Sequence, residues 1–156
     1  MPPEALIVGN GSNELIEALL LVTVGPGTRV VIPEPTFTLY ALLTKVLGGE
    51  AIRVGLGPEL EYLPEELGKV RRELAAPITI VCSPNNPTGG LLPAEEVSRL
   101  CEDGDGLVVV DEAYHEFSGQ SVVPLLARHG NLVVLRTFSK AMGLAGLRVG
   151  YLLASP

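Results

Sequence analysis

Four short polar runs carry the residues of this chain that are able to do chemistry. They are Gly9-Asn10-Gly11-Ser12-Asn13, Ser83-Pro84-Asn85-Asn86-Pro87-Thr88-Gly89, Asp111-Glu112-Ala113-Tyr114 and Thr137-Phe138-Ser139-Lys140, and each begins where an apolar stretch stops. Gly11-Ser12-Asn13 opens a helix-like segment whose free backbone N–H groups and positive dipole end suit a phosphate; taken alone, a plain helix cap explains it as well. Ser139, Lys140 and Arg148 add a hydroxyl and two cations that would complete an anion site. Lys140 comes after an apolar strand and before Ala-Met-Gly-Leu-Ala-Gly-Leu, with no further charge until Arg148. A lysine in apolar surroundings gives up its proton more readily and becomes nucleophilic, as condensation with an aldehyde requires; a solvated surface lysine is the ordinary alternative. Asp111 ends the run Leu-Val-Val-Val-Asp, which sets a carboxylate at the bottom of a buried pocket. There it would pair with a protonated ring nitrogen, although a turn-forming role after a strand is also open. Tyr114 and Asn86 would hydrogen-bond a ring oxygen, and Phe37 would stack on a ring or serve as a core aromatic.

Those runs need a frame to bring them together. Seven β-rich stretches recur, at Leu6–Val8, Arg29–Ile32, Ala51–Val54, Ile78–Cys82, Leu107–Asp111, Leu132–Arg136 and Arg148–Leu153. Several are unbroken Val/Ile/Leu, as strands covered on both faces are. Helical segments separate them: Asn13–Val24 with Ser12 as its cap, a segment from Pro35 to Leu47, and two that open on Pro64-Glu65-Glu66 and Pro93-Ala94-Glu95-Glu96. Proline in the first turn followed by carboxylates is a helix-start signature. Val122–Arg128 reads as a shorter helix, Ala141–Leu144 as a single turn and Gly55–Glu61 as an exposed loop. The alternation predicts an α/β three-layer sandwich, a seven-stranded mostly parallel sheet with helices on both faces. The last strand follows too closely for a full crossover, so it is expected to run antiparallel. Ligands bind beyond the carboxyl ends of strands in such sheets, where the four runs fall.

Composition narrows the classes. The chain has 156 residues, 47% hydrophobic and 19% charged, which fits one globular domain and excludes disorder. A net charge of −7 argues against a nucleic-acid surface. No apolar run is long enough to span a bilayer, and no signal-peptide pattern stands at the start, so a cytoplasmic location without membrane contact is expected. Cys82 and Cys101 have neither CxxC spacing nor neighbouring metal ligands, and read as reduced structural thiols with no metal site. His129, beside Gly130, reads as a surface residue at a helix end; His115 could approach a substrate, although a structural role is the simpler reading. The apolar inventory is high for a soluble chain, as in a domain whose surface is partly covered by other parts of a larger protein.

Together these residues resemble the fold-type I, class I/II pyridoxal-phosphate aminotransferases. The Ser83–Gly89 run, Asp111-Glu112-Ala113-Tyr114, and Ser139-Lys140 followed eight residues later by Arg148 stand in that family's order across essentially the whole chain. The resemblance implies pyridoxal 5′-phosphate as cofactor, with Lys140 as its Schiff-base lysine and Asp111 as the partner of the pyridine nitrogen. It places Asn86 and Tyr114 on the phenolic oxygen and Phe37 against the ring. Family members often have tyrosine at the Phe37 position, so stacking survives and a hydroxyl role is lost. Ser12, Asn13, Ser139 and Arg148 form the phosphate cup, largely through backbone amides at the first two. Lys140, Asp111 and Tyr114 are the implied catalytic residues.

The runs Gly11–Ile16, Cys82–Asn86, Asp111–Phe117 and Arg136–Arg148 look most like the branch that moves an amino group between histidinol phosphate and 2-oxoglutarate in histidine biosynthesis. Branches acting on aromatic amino acids or threonine phosphate share much of the pattern. On this resemblance residues 1–156 form the cofactor-binding large domain, without the family's N-terminal segment and small C-terminal domain. The substrate-carboxylate arginine and a tyrosine from a neighbouring subunit belong to those parts, so a homodimer acting on an amino donor and a 2-oxo acid is implied for the parent protein. Two alternatives stay open: a non-catalytic domain of this fold, and an unrelated nucleotide-binding domain, which would need the third glycine that Gly9-Asn-Gly-Ser-Asn lacks.

Overall fold

A computed structural model describes residues 2–156. Its seven strands are β1 (Leu6–Gly9), β2 (Arg29–Glu34), β3 (Glu50–Gly55), β4 (Ile78–Cys82), β5 (Leu107–Asp111), β6 (Leu132–Thr137) and β7 (Gly150–Ala154). They form one sheet in the order β1-β7-β6-β5-β4-β2-β3. β7 runs antiparallel to both of its neighbours, and every other pairing is parallel. The expected mostly parallel sheet with one reversed strand is therefore present.

Alternation along the central strands supplies two cores, because successive side chains leave a strand on opposite faces. Ile78, Ile80, Cys82 and Val109 pack beneath α1 (Ser12–Thr23) and α2 (Leu39–Val46). Val81, Val108 and Val110 pack on the other face with α3 (Pro64–Glu73), α4 (Ala94–Glu102) and the 3-10 helix Val123–Ala127. α3 and α4 carry the expected proline and paired glutamates at their starts. Edge strand β1 is different: Leu6, Ile7 and Val8 are all exposed. Among the described residues no helix is long and apolar enough to cross a membrane.

Several expected boundaries move. Ser12 is the first residue of α1 and makes no capping hydrogen bond; Gly11 takes the cap position at φ 81°, in the left-handed region that favours glycine. Pro35 does not open α2, which starts at Leu39, because the Pro35 carbonyl is taken by the Asn85 amide at 2.9 Å instead of a helical N–H. Phe37 thus lies in the turn ahead of the helix. Ala141–Leu144 is not helical; a 3-10 turn forms later, at Ala145–Leu147. Arg148 sits at φ 51°, ψ 51°, outside strand geometry, so β7 starts at Gly150. Val122–Arg128 is 3-10 rather than α, and His115–Ser118 forms a short helix, α5, that sequence reasoning missed. The loop after β3 is only partly exposed, since Leu56 packs against the core and Gly57 is buried.

Candidate active site

The parallel strands β2, β4, β5 and β6 end on one rim, and β1 ends there too. Because β7 is reversed, its start lies on that same rim, with Gly150 paired to Gly9 on one side and Thr137 on the other. A cleft opens at this rim, and Ser12, Asn13, Phe37, Asn86, Asp111, Tyr114, Ser139, Lys140 and Arg148 all line it. Residues up to 136 positions apart in the chain therefore meet where the sequence placed them. Tyr40, Cys82, Ala113 and Thr137 line it as well, and sequence reasoning had assigned none of them to the site.

Asp111 forms the floor and is 3% exposed. Its Oδ2 accepts the Tyr40 hydroxyl at 2.6 Å and its Oδ1 accepts the Ala113 N–H at 3.0 Å. Burial pushes its carboxyl above the usual range, while those two donors and the Lys140 charge pull the other way. Tyr40 is completely buried, and burial together with the Asp111 charge pushes its phenol well up, so it remains a donor. Cys82 lies beside them, and burial raises its thiol to about 12, leaving it neutral and unreactive. It is reduced and buried as expected, yet it faces the cleft rather than serving only the core.

One wall is fixed by Asn85, which is 4% exposed. Its amide donates to the Pro35 carbonyl and the Thr88 hydroxyl, both at 2.9 Å, and its oxygen accepts the Thr36 hydroxyl at 2.6 Å. This joint ties the turn carrying Phe37 to the loop carrying Asn86. The Phe37 ring meets Tyr40 edge-on, with centroids 5.5 Å apart.

The opposite end collects anion-binding groups. The N-terminus of α1 offers free backbone N–H groups, and Arg148 packs into the space a side chain at Gly11 would fill. A side chain at Gly150 would collide with the Ser12 nitrogen, so glycine there permits the helix end to sit against the sheet. The Thr137 hydroxyl donates to Ser139 Oγ at 3.0 Å and accepts the Ser139 N–H at 3.2 Å, which orients Ser139. Lys140 stands at the lip with its Nζ 5.2 Å from the centroid of the Tyr114 ring. It is exposed, as is every residue from 141 to 148, so the apolar enclosure expected around this lysine is not provided by the chain itself.

The two histidines stand outside the cleft. His115 Nε2 lies 3.4 Å from Glu116 Oε1. His129 is not a free surface group, because its Nε2 is 2.8 Å from the Ser98 hydroxyl on α4.

A deep carboxylate opposite a cluster of N–H, hydroxyl and guanidinium donors, with an aromatic wall and an amine at the lip, fits a cationic heteroaromatic ring bearing an aldehyde and a phosphate. The comparisons with known proteins agree with that chemistry. The sequence model of a family described as Aminotransferase class I and II matches residues 1–156. A histidinol-phosphate aminotransferase of Caldanaerobacter subterraneus subsp. tengcongensis is 42% identical over 153 residues, which is 98% of this chain and 44% of that protein. One from Chlorobium phaeobacteroides is 44% identical over 157 residues, 100% of this chain and 44% of its own length. The crystal structure of histidinol-phosphate aminotransferase from Sinorhizobium meliloti in complex with pyridoxal-5′-phosphate superposes with a TM-score of 0.90 at 29% identity, over 99% of this chain and 43% of that one. The chain spans less than half the length of the curated relatives it matches.

Proposed function

The chain belongs to the class I and II aminotransferases, and from that premise we propose that the protein it forms part of transfers an amino group between histidinol phosphate and 2-oxoglutarate, using pyridoxal 5′-phosphate. The observation that carries the cofactor part of this reading is the convergence of nine residues, from Ser12 to Arg148, on one cleft with Asp111 at its floor and Lys140 at its lip. The choice of substrate rests on the names of the relatives and on the family resemblance of the motifs.

When bound, the cofactor supplies an aldehyde to take up the substrate amine and a ring to accept the electrons released at the substrate Cα. The chain's own residues do the holding and the proton transfer. Ser12 and Asn13 through their backbone amides, with Ser139 and Arg148, would hold the phosphate. Asp111 would keep a ring N–H charged by receiving it on a carboxylate screened from water. Asn86 and Tyr114 would hydrogen-bond the ring oxygen, and Phe37 would cover one face of the ring. Lys140 would hold the aldehyde at rest and, once the substrate amine has displaced it, its free amine would take the proton from Cα and return it two atoms away, across the intervening nitrogen. Met142, Leu144 and Leu147, exposed beside Lys140, form an apolar lip that a second copy of the protein would cover, in keeping with a homodimer.

Borohydride reduction of the protein loaded with pyridoxal phosphate should add the cofactor's mass to the peptide containing Lys140. Histidinol phosphate with 2-oxoglutarate should then yield glutamate. No mass at Lys140 under excess cofactor would overturn the cofactor reading. A trapped lysine without glutamate formation would overturn the substrate reading alone.

A further inference from the structure

The Tyr40–Asp111 contact joins two buried polar groups 71 positions apart in the chain. Tyr40 lies in the first turn of α2, completely buried, and lines the cleft beside Asp111. An apolar residue would fill a core position of a helix without requiring a partner, since a buried hydroxyl must be hydrogen-bonded or lose its desolvation energy. This hydroxyl donates to Asp111 Oδ2 at 2.6 Å with the Cys82 thiol beside it, while the Ala113 N–H occupies Oδ1 at 3.0 Å. The other titratable groups around the carboxyl are Cys82 on β4, Glu112 next in the chain, Tyr62 from the loop after β3 and Lys140 at the lip. Cys82 and Tyr62 are neutral, Glu112 is matched by Arg136, and Lys140 makes no ion pair with Asp111 among the described residues. Among the described residues Tyr40 is thus the one side chain hydrogen-bonded to the carboxyl.

We propose that Tyr40 is a positioning residue of this site, whose phenol holds Asp111 ionised and aimed at the cleft before any ring N–H arrives. The inference rests on the cofactor reading above for its purpose, and on this chain's geometry for its content. With the hydroxyl removed, burial acts on Asp111 with less opposition, so the carboxyl takes up a proton at higher pH. A neutral carboxyl cannot hold a ring nitrogen in its protonated form.

The test is carried out on full-length protein stripped of cofactor. The ¹³Cγ signal of Asp111, assigned by its loss in Asp111→Asn, is titrated in wild type, Tyr40→Phe and Tyr62→Phe. Tyr40→Phe should raise the midpoint by about one unit or more, which is roughly tenfold in the equilibrium. Tyr62→Phe, whose hydroxyl donates to the Cys82 carbonyl and not to Asp111, should leave it in place. For a one-unit rise, pyridoxal phosphate affinity should fall about tenfold in Tyr40→Phe well below the wild-type midpoint and about fivefold at it, and the wild-type to variant ratio should shrink as pH rises past the variant's midpoint. Dividing by wild type cancels the cofactor's own titrations. An unmoved midpoint, or an affinity ratio flat in pH, overturns the proposal. If Tyr40→Phe does not fold, fluorotyrosine at position 40, a stronger donor, must lower the midpoint; no shift overturns the proposal equally. Failure of wild type to bind pyridoxal phosphate would strike the cofactor reading, while the carboxyl titration would still decide the role of Tyr40.

Discussion

Asp111 and Glu112 are consecutive, and both are nearly inaccessible, yet the two sides of the sheet treat them in opposite ways. Glu112 is matched: Arg136 reaches its Oε2 through Nε at 3.0 Å and Nη2 at 2.8 Å, with Ser121 and the Val122 N–H completing the set. Asp111 has a phenol and one backbone N–H and no ion pair among the described residues. Glu112 is a joint that ties β5 to β6 and to the segment at 121–122. Asp111 is kept short of a cation, in the state expected of a group that awaits one from outside the fold.

Removing Glu112 is expected to give the largest stability effect. Glu112→Ala strands the Arg136 guanidinium in a half-buried place, at a cost of about 3–5 kcal/mol. Asp111→Asn should do the reverse in the cofactor-free protein. The Asn oxygen can keep the Ala113 N–H, the Tyr40 hydroxyl can turn to accept the new amide, and an unmatched buried charge is gone. Stability should hold or rise. Denaturant unfolding of the two variants checks both halves, and an equal loss would erase the contrast between the sites. The pH dependence sharpens it. A carboxyl whose folded value is raised binds its proton more tightly when folded, so wild-type stability falls as pH climbs above the ordinary 3.8 towards the raised value. Asp111→Asn should remove that slope and Glu112→Ala should leave it.

Sequence singled out Asp111 and gave Glu112 no role, so only one side of the contrast was legible. Asp111 could be placed because a run of apolar residues ending in a carboxylate marks a strand end, and the alternation of strands with helices implies a mostly parallel sheet with ligands at those ends. The partners could not be placed. Arg136 lies 24 positions from Glu112 and Tyr40 lies 71 from Asp111, and both distances close only through strand pairing and helix packing. Tyr40 carries no local signal, since an aromatic on the core side of a helix is usually packing. Thr137 and Gly150 were passed over for the same reason, their roles depending on β6 and β7 lying side by side. Helix boundaries shifted where tertiary bonds competed with local propensity, as at Pro35. The exposure of Lys140 was misread because local apolar sequence does not bury a residue unless something packs on it.

The phosphate end offers a smaller test of how rigid the site is. A methyl at Gly150 meets the backbone of Gly11 and Ser12, which cannot yield as a flexible side chain would. Gly150→Ala should cost about 1–3 kcal/mol and weaken binding of inorganic phosphate or the cofactor, while leaving the Asp111 titration as it is. Isothermal titration beside the unfolding curve separates the two. A variant with normal stability and normal phosphate binding would mean that the helix end moves freely relative to β7.

Lys140 should show the least effect on the fold and the cleanest effect on the chemistry. Lys140→Met removes the exposed ammonium over the Tyr114 ring, and such exposed pairs contribute about 0.5–1 kcal/mol at most. Lys140→Arg keeps a cation over the ring, so its stability should match wild type within about 0.5 kcal/mol. Neither variant has an amine to condense with an aldehyde, so both should lose the borohydride-fixed mass. The chain's other lysines, Lys45 and Lys69, lie on α2 and α3 and do not line the cleft, so they offer no substitute. A variant that still fixed cofactor, with the mass on Lys45 or Lys69, would detach the lip from the floor and leave Asp111 waiting for a different partner.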